Sequence, residues 1–404
     1  MSGKSVAQPL IVDDEVALFP AETGSATSLN IAYGNGVYLV TWKNRGFYPV
    51  QPAFAARVSP AGIALDAAPI PIGDAIDPRV DFDGTEFFIA TRDDTYYERW
   101  TRVHPVTGVV RTGVYDADPI VGEELVEDVV CTTDGCAALI SARVDFHMYY
   151  SDSISLSLFR PEGGGGVLIR AGYDARGHEI CHRFGSPRAV ARGTQLEVVF
   201  SCTPEIPLVP EEHDLGYGLR DVFAMTMPAY GEPVSRGVAV GRTSLIEVAP
   251  NVACSESDCV YVWSETNGAR ASLRTNGGER IVGAGSTSLA FDGTEFILSW
   301  DDGGQWMAYL NSDGTFASER QWVGGGFGPI ASAGDGTALN VFRSGGLKLR
   351  RIDRRSECST SSRSLQKSVV GRADGHRGDR RGGEVVIFLA HARKEYEAVV
   401  DALS

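Results

Sequence analysis

The stretch that decides the fold is Phe82-Asp-Gly-Thr-Glu-Phe87, which recurs letter for letter as Phe291-Asp-Gly-Thr-Glu-Phe296. Each copy has an apolar residue, a polar turn of four residues, a second apolar residue and then an apolar run. Weaker copies of this ten-residue unit occur along most of the chain. The units begin at Tyr33, Phe82, Cys131, Ala191, Cys254, Phe291 and Ala333. Their starts lie 37 to 63 residues apart, which is typical of repeats that each build one four-stranded blade.

Each unit is interpreted as the hairpin that joins the first two strands of a blade. A short strand precedes it, often opened by proline, as at Pro78, Pro187, Pro250 and Pro329. We therefore expect an all-β fold, a seven-bladed β-propeller over residues 8–353. The seventh unit ends after its third strand, at 347–352, and the apolar segment 9–12 belongs to no other unit. Pairing of these two segments would close the ring and remove its exposed edges.

The units resemble the hairpins of bacterial β-propeller-repeat proteins, which run Phe-Asp-Gly-Thr-x-Phe/Tyr-Leu-Val-x-Trp. The resemblance covers roughly residues 8–353. It implies the propeller fold and very little about function, because propellers host both binding and catalysis.

The C-terminal region differs in composition. Residues 354–383 are rich in Arg, Ser and Gly, which predicts a disordered, basic, protease-sensitive linker. Residues 384–404 predict a buried strand and an amphipathic helix. This segment resembles the opening of bacterial TIR domains, and two interpretations stay open: a truncated second domain, or a strand and helix docked on the propeller. No NAD-cleaving activity follows from the resemblance.

The charge distribution limits the partners. The formal net charge is −15, and residues 343–383 carry twelve Lys and Arg against four Asp and Glu, so the rest of the chain is strongly acidic. An acidic body repels nucleic acid and anionic membranes and attracts basic partners. No apolar run is long enough for a spanning helix. We expect no nucleic acid, no membrane, no cofactor and a monomer.

Six cysteines form three candidate disulfides. Two pairs flank a hairpin turn, where cross-strand geometry allows a bond: Cys131 with Cys136, and Cys254 with Cys259. The third candidate pair is Cys181 with Cys202, which leaves Cys358 in the tail. Three pairs favour an extracytoplasmic location, whereas the N-terminus lacks a secretory signal and favours the cytoplasm.

Two groups of residues suggest catalysis. His178-Glu179-Ile180-Cys181-His182 has the H-E-x-x-H pattern, in which two His bind zinc and the Glu acts as general base. That pattern needs a helix, whereas Gly177 and Pro187 predict a loop, so no metal site is assigned. The acidic residues Glu123, Glu124, Glu127 and Asp128 lie between the second and third units. Paired carboxylates near a propeller axis would serve a glycosidase; the other interpretation is a solvated acidic loop.

The expected function is a non-catalytic binding or regulatory propeller that presents its loops to a protein partner, for which a basic protein is the candidate. The alternative is a propeller hydrolase, either zinc-dependent through His178, Glu179 and His182 or a glycosidase that uses carboxylates.

Overall fold

The computed structural model describes residues 10–20, 25–45, 51–92, 98–114, 123–146, 149–159, 181–204, 221–228, 237–241, 247–265, 270–275 and 278–354. The chain divides into two compact units, Met1–Arg355 and Ser356–Ser404. The second unit lies outside the described residues, and so do the strand and helix predicted at 384–404 and all of the predicted linker except Arg354. Both stay predictions. In the described part, no helix has the length and apolar character that a membrane span requires.

All regular structure in the described residues is β. Two short strands, β1 (Ile11–Val12) and β2 (Val16–Ala17), open the chain. They are followed by the strands of the first sheet, β3 (Ala26–Gly34), β4 (Val37–Asn44), β5 (Pro52–Val58) and β6 (Ile70–Asp74), and of the second, β7 (Ile76–Phe82), β8 (Phe87–Arg92), β9 (Glu98–Val103) and β10 (Val110–Val114). The third sheet consists of β11 (Glu123–Thr132), β12 (Gly135–Phe146) and β13 (Tyr149–Phe159), and the fourth of β14 (Cys181–Arg192), β15 (Gln195–Pro204), β16 (Asp221–Pro228) and β17 (Val238–Gly241). The fifth is formed by β18 (Glu247–Cys254), β19 (Cys259–Glu265), β20 (Arg270–Thr275) and β21 (Gly278–Gly283), and the sixth by β22 (Thr287–Phe291), β23 (Phe296–Asp301), β24 (Gln305–Leu310) and β25 (Gln321–Gly324). The last three strands are β26 (Ile330–Ser332), β27 (Thr337–Arg343) and β28 (Leu347–Asp353).

These strands form seven antiparallel sheets, five of which are complete four-stranded blades in the described residues. The third sheet has three described strands. In the seventh, β1 and β2 both pair with β28, with Ile11 opposite Asp353 and Val16 opposite Leu349. The predicted all-β propeller, closed by an N-terminal strand, is confirmed.

The core is a cycle of apolar interfaces between successive sheets. Seven clusters of buried side chains each contain residues of two neighbouring sheets. The N-terminal segment belongs to this cycle, since Leu10 packs between the sixth and seventh sheets and Leu18 between the seventh and first. Close packing of these faces excludes water from the sheets, and burial of apolar surface is the main term that stabilises them.

The repeated Asp-Gly-Thr sequence explains its own turn. Asp83 Oδ1 accepts hydrogen bonds from the backbone N–H groups of Thr85 and Glu86, at 2.8 and 2.7 Å. Gly84 has a φ of 94°, a conformation that glycine adopts without a steric penalty. Asp292 and Gly293 repeat the arrangement. The apolar residues that flank the turn then lie opposite each other, as the unit predicts.

Three of the four prolines expected to open strands lie inside them instead. Pro78, Pro187 and Pro250 lie inside β7, β14 and β18 rather than opening them, and each coincides with a register shift in the pairing with the second strand. Only Pro329 stands directly before its strand. A β-bulge leaves a residue unpaired, so a proline there removes no ladder hydrogen bond.

Candidate functional site

A cavity of about 620 Å³ lies at the centre of the ring, lined by the first strands of all seven sheets. A volume of several hundred cubic ångströms is typical of small-molecule sites. Its lining contains charged side chains from the second, third and fourth sheets, together with polar side chains from the first, fifth and sixth.

Six of the polar lining residues occupy one repeat position, the third residue before each hairpin unit, and an isoleucine holds this position in the seventh sheet. The residues at this position, in chain order, are Asn30, Arg79, Asp128, Arg188, Asn251, Ser288 and Ile330. The first strand of a blade, which lies nearest the centre of the ring, normally contributes apolar side chains to the interfaces between blades. Two guanidinium groups and one carboxylate at this position therefore call for a function or for tight pairing.

In four sheets, a β-bulge with left-handed backbone precedes the residue at this repeat position. Two residues before it, Ser28, Asp77, Ser186 and Ala249 have φ between 48° and 51°, a region that costs a residue with a Cβ of the order of 1–2 kcal/mol. Each falls in a register shift between the first two strands of its sheet. Such bulges re-aim the side chains that follow them, and strained backbone of this kind clusters at functional sites.

Asp128 lies in the field of two guanidinium groups. Burial raises the pKa of its carboxyl, whereas the charges of Arg188 and Arg79 oppose that rise. One carboxylate oxygen accepts a hydrogen bond from the backbone N–H of Ala189 on the next sheet, at 2.9 Å. The Arg188 guanidinium donates to the backbone carbonyl oxygens of Pro187 and Glu127. Asp128 and both arginines each keep part of their residue surface exposed, and all three line the cavity.

Asp81 is the second carboxyl group of the cavity. Burial raises its pKa to about 7, against the hydrogen bonds that its two oxygens accept from the backbone N–H groups of Cys131 and Phe82. The negative charges of Asp128 and Asp83 raise this pKa further. A carboxyl group with a pKa near neutrality is protonated in a useful fraction of molecules and can donate a proton.

Arg79 is an incompletely hydrogen-bonded group of the lining. Its Nε is buried without a hydrogen-bond partner among the described residues. Burial and the neighbouring charge of Arg188 lower the pKa of its guanidinium, and Asp128 and Asp77 counteract this. Asp77 is itself committed to an ion pair with Lys43, at 2.8 Å. A buried, incompletely paired guanidinium beside a cavity is suited to an anionic ligand, because fixed N–H donors match a carboxylate or phosphate.

The predicted acidic cluster is only partly brought into the site. Glu123, Glu124, Glu127 and Asp128 all lie in strand β11, not in a solvated loop. A register shift falls between Val126 and Asp128, and Asp128 lines the cavity whereas Glu127 does not. Arg79, Asp81 and Arg188 were missed as site residues. The signal for two of them was present, because Arg79 and Arg188 share the repeat position of Asp128.

Of the three H-E-x-x-H residues, only His182 belongs to the described part of the chain. His178 and Glu179 lie outside the described residues. His182 lies in strand β14, where the backbone is extended. The zinc hypothesis gains no support from this position and stays untested.

The cysteines are joined in the described hairpins. Disulfide bonds link Cys131 with Cys136 and Cys254 with Cys259. Cys202 is also disulfide-bonded, and Cys181 begins strand β14 close to it in register. Because disulfides persist in oxidising compartments, these bonds favour an extracytoplasmic location.

No family model and no curated protein matches the chain. Solved structures that are similar to it include the acylaminoacyl peptidase of Pyrococcus horikoshii, with a TM-score of 0.47 and 10% identity over 80% of this chain and 50% of that one. The chain thus spans half the length of the peptidase. The β-propeller domain of the Trilobed protease from Pyrococcus furiosus has a TM-score of 0.45 and 11% identity, over 79% of this chain and 92% of that one.

A third similar structure is the haemagglutinin-neuraminidase ectodomain of parainfluenza virus 5, with a TM-score of 0.43 and 9% identity over 86% of this chain and 85% of that one. At these identities the likeness concerns the propeller fold. The expected non-catalytic binding module has no counterpart among these three proteins, which are named as two proteases and a neuraminidase; the likeness itself shows the fold alone.

Proposed function

We propose that the chain is a hydrolase of the carboxylate-dependent glycosidase type, acting in the central cavity on a saccharide that carries an acidic group. The observation that carries the proposal is the pair of half-buried carboxyl groups, Asp81 and Asp128, on adjacent first strands of one cavity. Glycoside hydrolysis needs two carboxyl groups with different protonation states.

Burial raises the pKa of both groups, and their charged neighbours distinguish them. Asp81, with a pKa of about 7, is the proton donor. Asp128 is the carboxylate, because the charges of Arg79 and Arg188 favour its ionised form. In the reaction the bond between the anomeric carbon and the leaving oxygen breaks, and Asp81 gives its proton to that oxygen. A water molecule adds to the anomeric carbon, and its proton passes to Asp128.

The arginines supply the preference for an acidic substrate. Arg79 has an unpaired Nε beside the cavity, and a substrate carboxylate would complete its hydrogen bonding. A neutral sugar of the same size would leave this buried donor unsatisfied, which costs of the order of 1–3 kcal/mol. Acidic sugars are therefore expected to be the better substrates.

The test is hydrolysis of fluorogenic 4-methylumbelliferyl glycosides by the full chain, with neutral glycosides compared with a glucuronide and an N-acetylneuraminide. We expect turnover of an acidic glycoside. Asp81→Asn should lower kcat about 100-fold or more, since general acid catalysis contributes roughly that factor. Arg79→Met should mainly raise KM. Asp335→Asn, in an exposed turn of the seventh sheet, is the matched control and should not change either constant.

Two outcomes contradict the proposal. Absence of turnover of every glycoside by folded protein would remove the glycosidase. Turnover that persists in Asp81→Asn and in Asp128→Asn would show that the chemistry lies elsewhere in the chain.

A further inference from the structure

The sixth sheet carries a second cavity, of about 510 Å³, away from the first strands that line the centre. It is lined by Trp300, Asp302, Trp306, Phe316, Ser318, Glu319 and Arg320. These seven side chains are aromatic, charged or hydroxylic, and none is aliphatic. The aromatic side chains stand in a row, with Trp300 and Trp306 stacked at 6.4 Å and Phe316 tilted against Trp300 at 6.2 Å.

The row continues onto the surface. Trp322 lies opposite Trp306 on strand β25 and is 59% exposed, and Phe316 is 39% exposed. Exposed aromatic side chains in a contiguous group are unusual on a soluble surface and mark binding sites. We name the group formed by Trp306, Phe316 and Trp322 the aromatic groove.

The groove is rigid. The Trp306 indole N–H donates to the backbone carbonyl oxygen of Asp302 at 3.3 Å. Gly304 allows the Trp322 ring to lie against the backbone, because a Cβ at that position would stand 2.7 Å from the indole Nε1. The Arg320 guanidinium lies over the Phe316 ring, with its central carbon 5.7 Å from the ring centre. A preorganised aromatic surface binds without the entropy cost of ordering side chains.

The first sheet is an internal control, because it has the same scaffold without the groove. Trp42 pairs with Phe54 in the register in which Trp300 pairs with Trp306, and the two rings are stacked at 5.9 Å. The isolated bridge of Leu310 with Phe316 corresponds to that of Val58 with Ala64. The residue opposite Phe54 is Pro71, where the sixth sheet has Trp322.

The blade therefore folds without the two exposed rings. Phe316 and Trp322 replace an alanine and a proline at matching positions of the first sheet, so their role is not explained by the requirements of the blade.

We infer that the aromatic groove binds a saccharide by stacking against a pyranose ring. The C–H face of a pyranose is apolar and packs on an electron-rich aromatic face, while its hydroxyl groups project from the edge of the ring. The rim of the cavity supplies partners for those hydroxyl groups: the carboxylates of Asp302 and Glu319 accept, and the guanidinium of Arg320 donates. Among the described residues, neither carboxylate is engaged in a hydrogen bond or an ion pair.

The mixture of rings and charges distinguishes a saccharide from a protein anchor. A pocket for an apolar protein side chain excludes charge at its centre, whereas this cavity alternates aromatic faces with charged groups. The inference does not depend on the proposed hydrolase, since the groove and the central cavity share no lining residue.

The test is a titration of the full chain with cellohexaose, xylohexaose and chitohexaose, followed by tryptophan fluorescence and calorimetry. We expect saturable binding of at least one of them, with a blue shift as Trp322 leaves water. Trp322→Ala and Phe316→Ala should each weaken binding about tenfold, the effect of losing one ring contact of roughly 1.4 kcal/mol. Both residues are exposed, so the variants are expected to fold, and unfolding curves check this.

Leu65→Ala is the matched control, an exposed apolar residue of the corresponding hairpin in the first sheet, and it should bind as the parent does. Asp81→Asn should also leave this binding unchanged, whatever its effect on hydrolysis. Failure of all three oligosaccharides to bind would overturn the inference, and so would binding that survives both groove substitutions. A dimer in sedimentation velocity that Trp322→Ala dissociates would overturn it too, because the groove would then be an interface between copies.

Discussion

Replacement of Leu18 by alanine tests how the ring is closed. Leu18 follows the short strand β2 and is 2% exposed. It packs in the cluster between the seventh and first sheets, with Trp42, Leu347 and Leu349 among its neighbours. Its backbone N–H donates to the carbonyl oxygen of Leu347 at 2.9 Å. The side chain therefore anchors the N-terminal segment at the site where the two ends of the propeller meet.

The expected loss of stability follows from this burial. Complete burial of a leucine contributes roughly 2–3 kcal/mol of transfer free energy, and the cavity left by alanine adds to the loss. We expect Leu18→Ala to lower the free energy of unfolding by about 3 kcal/mol. Val16→Ala is the control, because Val16 is 49% exposed on the same short strand and its truncation should cost less than about 0.5 kcal/mol.

Urea unfolding, followed by tryptophan fluorescence, measures both variants. The slope of the free energy against urea should stay constant while the midpoint falls in Leu18→Ala, since the surface exposed on unfolding is unchanged. A loss below about 1 kcal/mol would mean that the N-terminal segment is not held between the seventh and first sheets in solution. The closure described here would then be wrong.

Three further predictions concern single groups. Hydrolysis should decline as the pH rises through about 7, where Asp81 loses its proton, and the residual activity of Asp81→Asn should lack this decline in a pH–rate profile. Joint replacement of Cys254 and Cys259 by serine should cost about 2 kcal/mol without reductant, from the short loop their bond closes, and the difference between variant and parent should disappear when both unfold in reductant. Ala249→Gly should stabilise the protein by about 1 kcal/mol, because its φ of 50° strains a residue with a Cβ; Ala253→Gly, in the regular part of the same strand, should destabilise it, and equal effects in thermal unfolding would contradict the reasoning.

The fold could be predicted further than the site could. Asp83 accepts the hydrogen bonds of the turn, and Gly84 adopts its left-handed φ. The hairpin is therefore encoded in six consecutive residues and forms in each copy that keeps the pattern. The closure was predictable for a different reason, since one strand was missing at the C-terminal end and one was left over at the N-terminal end. The site depends on residues that meet only when the ring has formed. Arg79 and Arg188 come from non-adjacent sheets, and the burial that shifts the pKa of Asp81 is a property of the assembled cavity.

The bulges explain why the prolines were placed wrongly and connect that error to the site. Pro78, Pro187 and Pro250 each follow a residue with left-handed φ and precede the side chain that lines the cavity. Proline has no N–H to donate and is therefore tolerated at the unpaired position of a bulge. The strand that the sequence predicted to begin at each proline is thus the C-terminal part of a longer, bulged strand. The sixth sheet has neither proline nor register shift at this point, and its residue in the row is the uncharged Ser288. In the second and fourth sheets a left-handed bulge precedes a charged side chain of the cavity, the association expected where the backbone is distorted to position a functional side chain. In the first and fifth sheets it precedes an asparagine, Asn30 or Asn251, so the bulges position polar side chains whether or not these carry a charge.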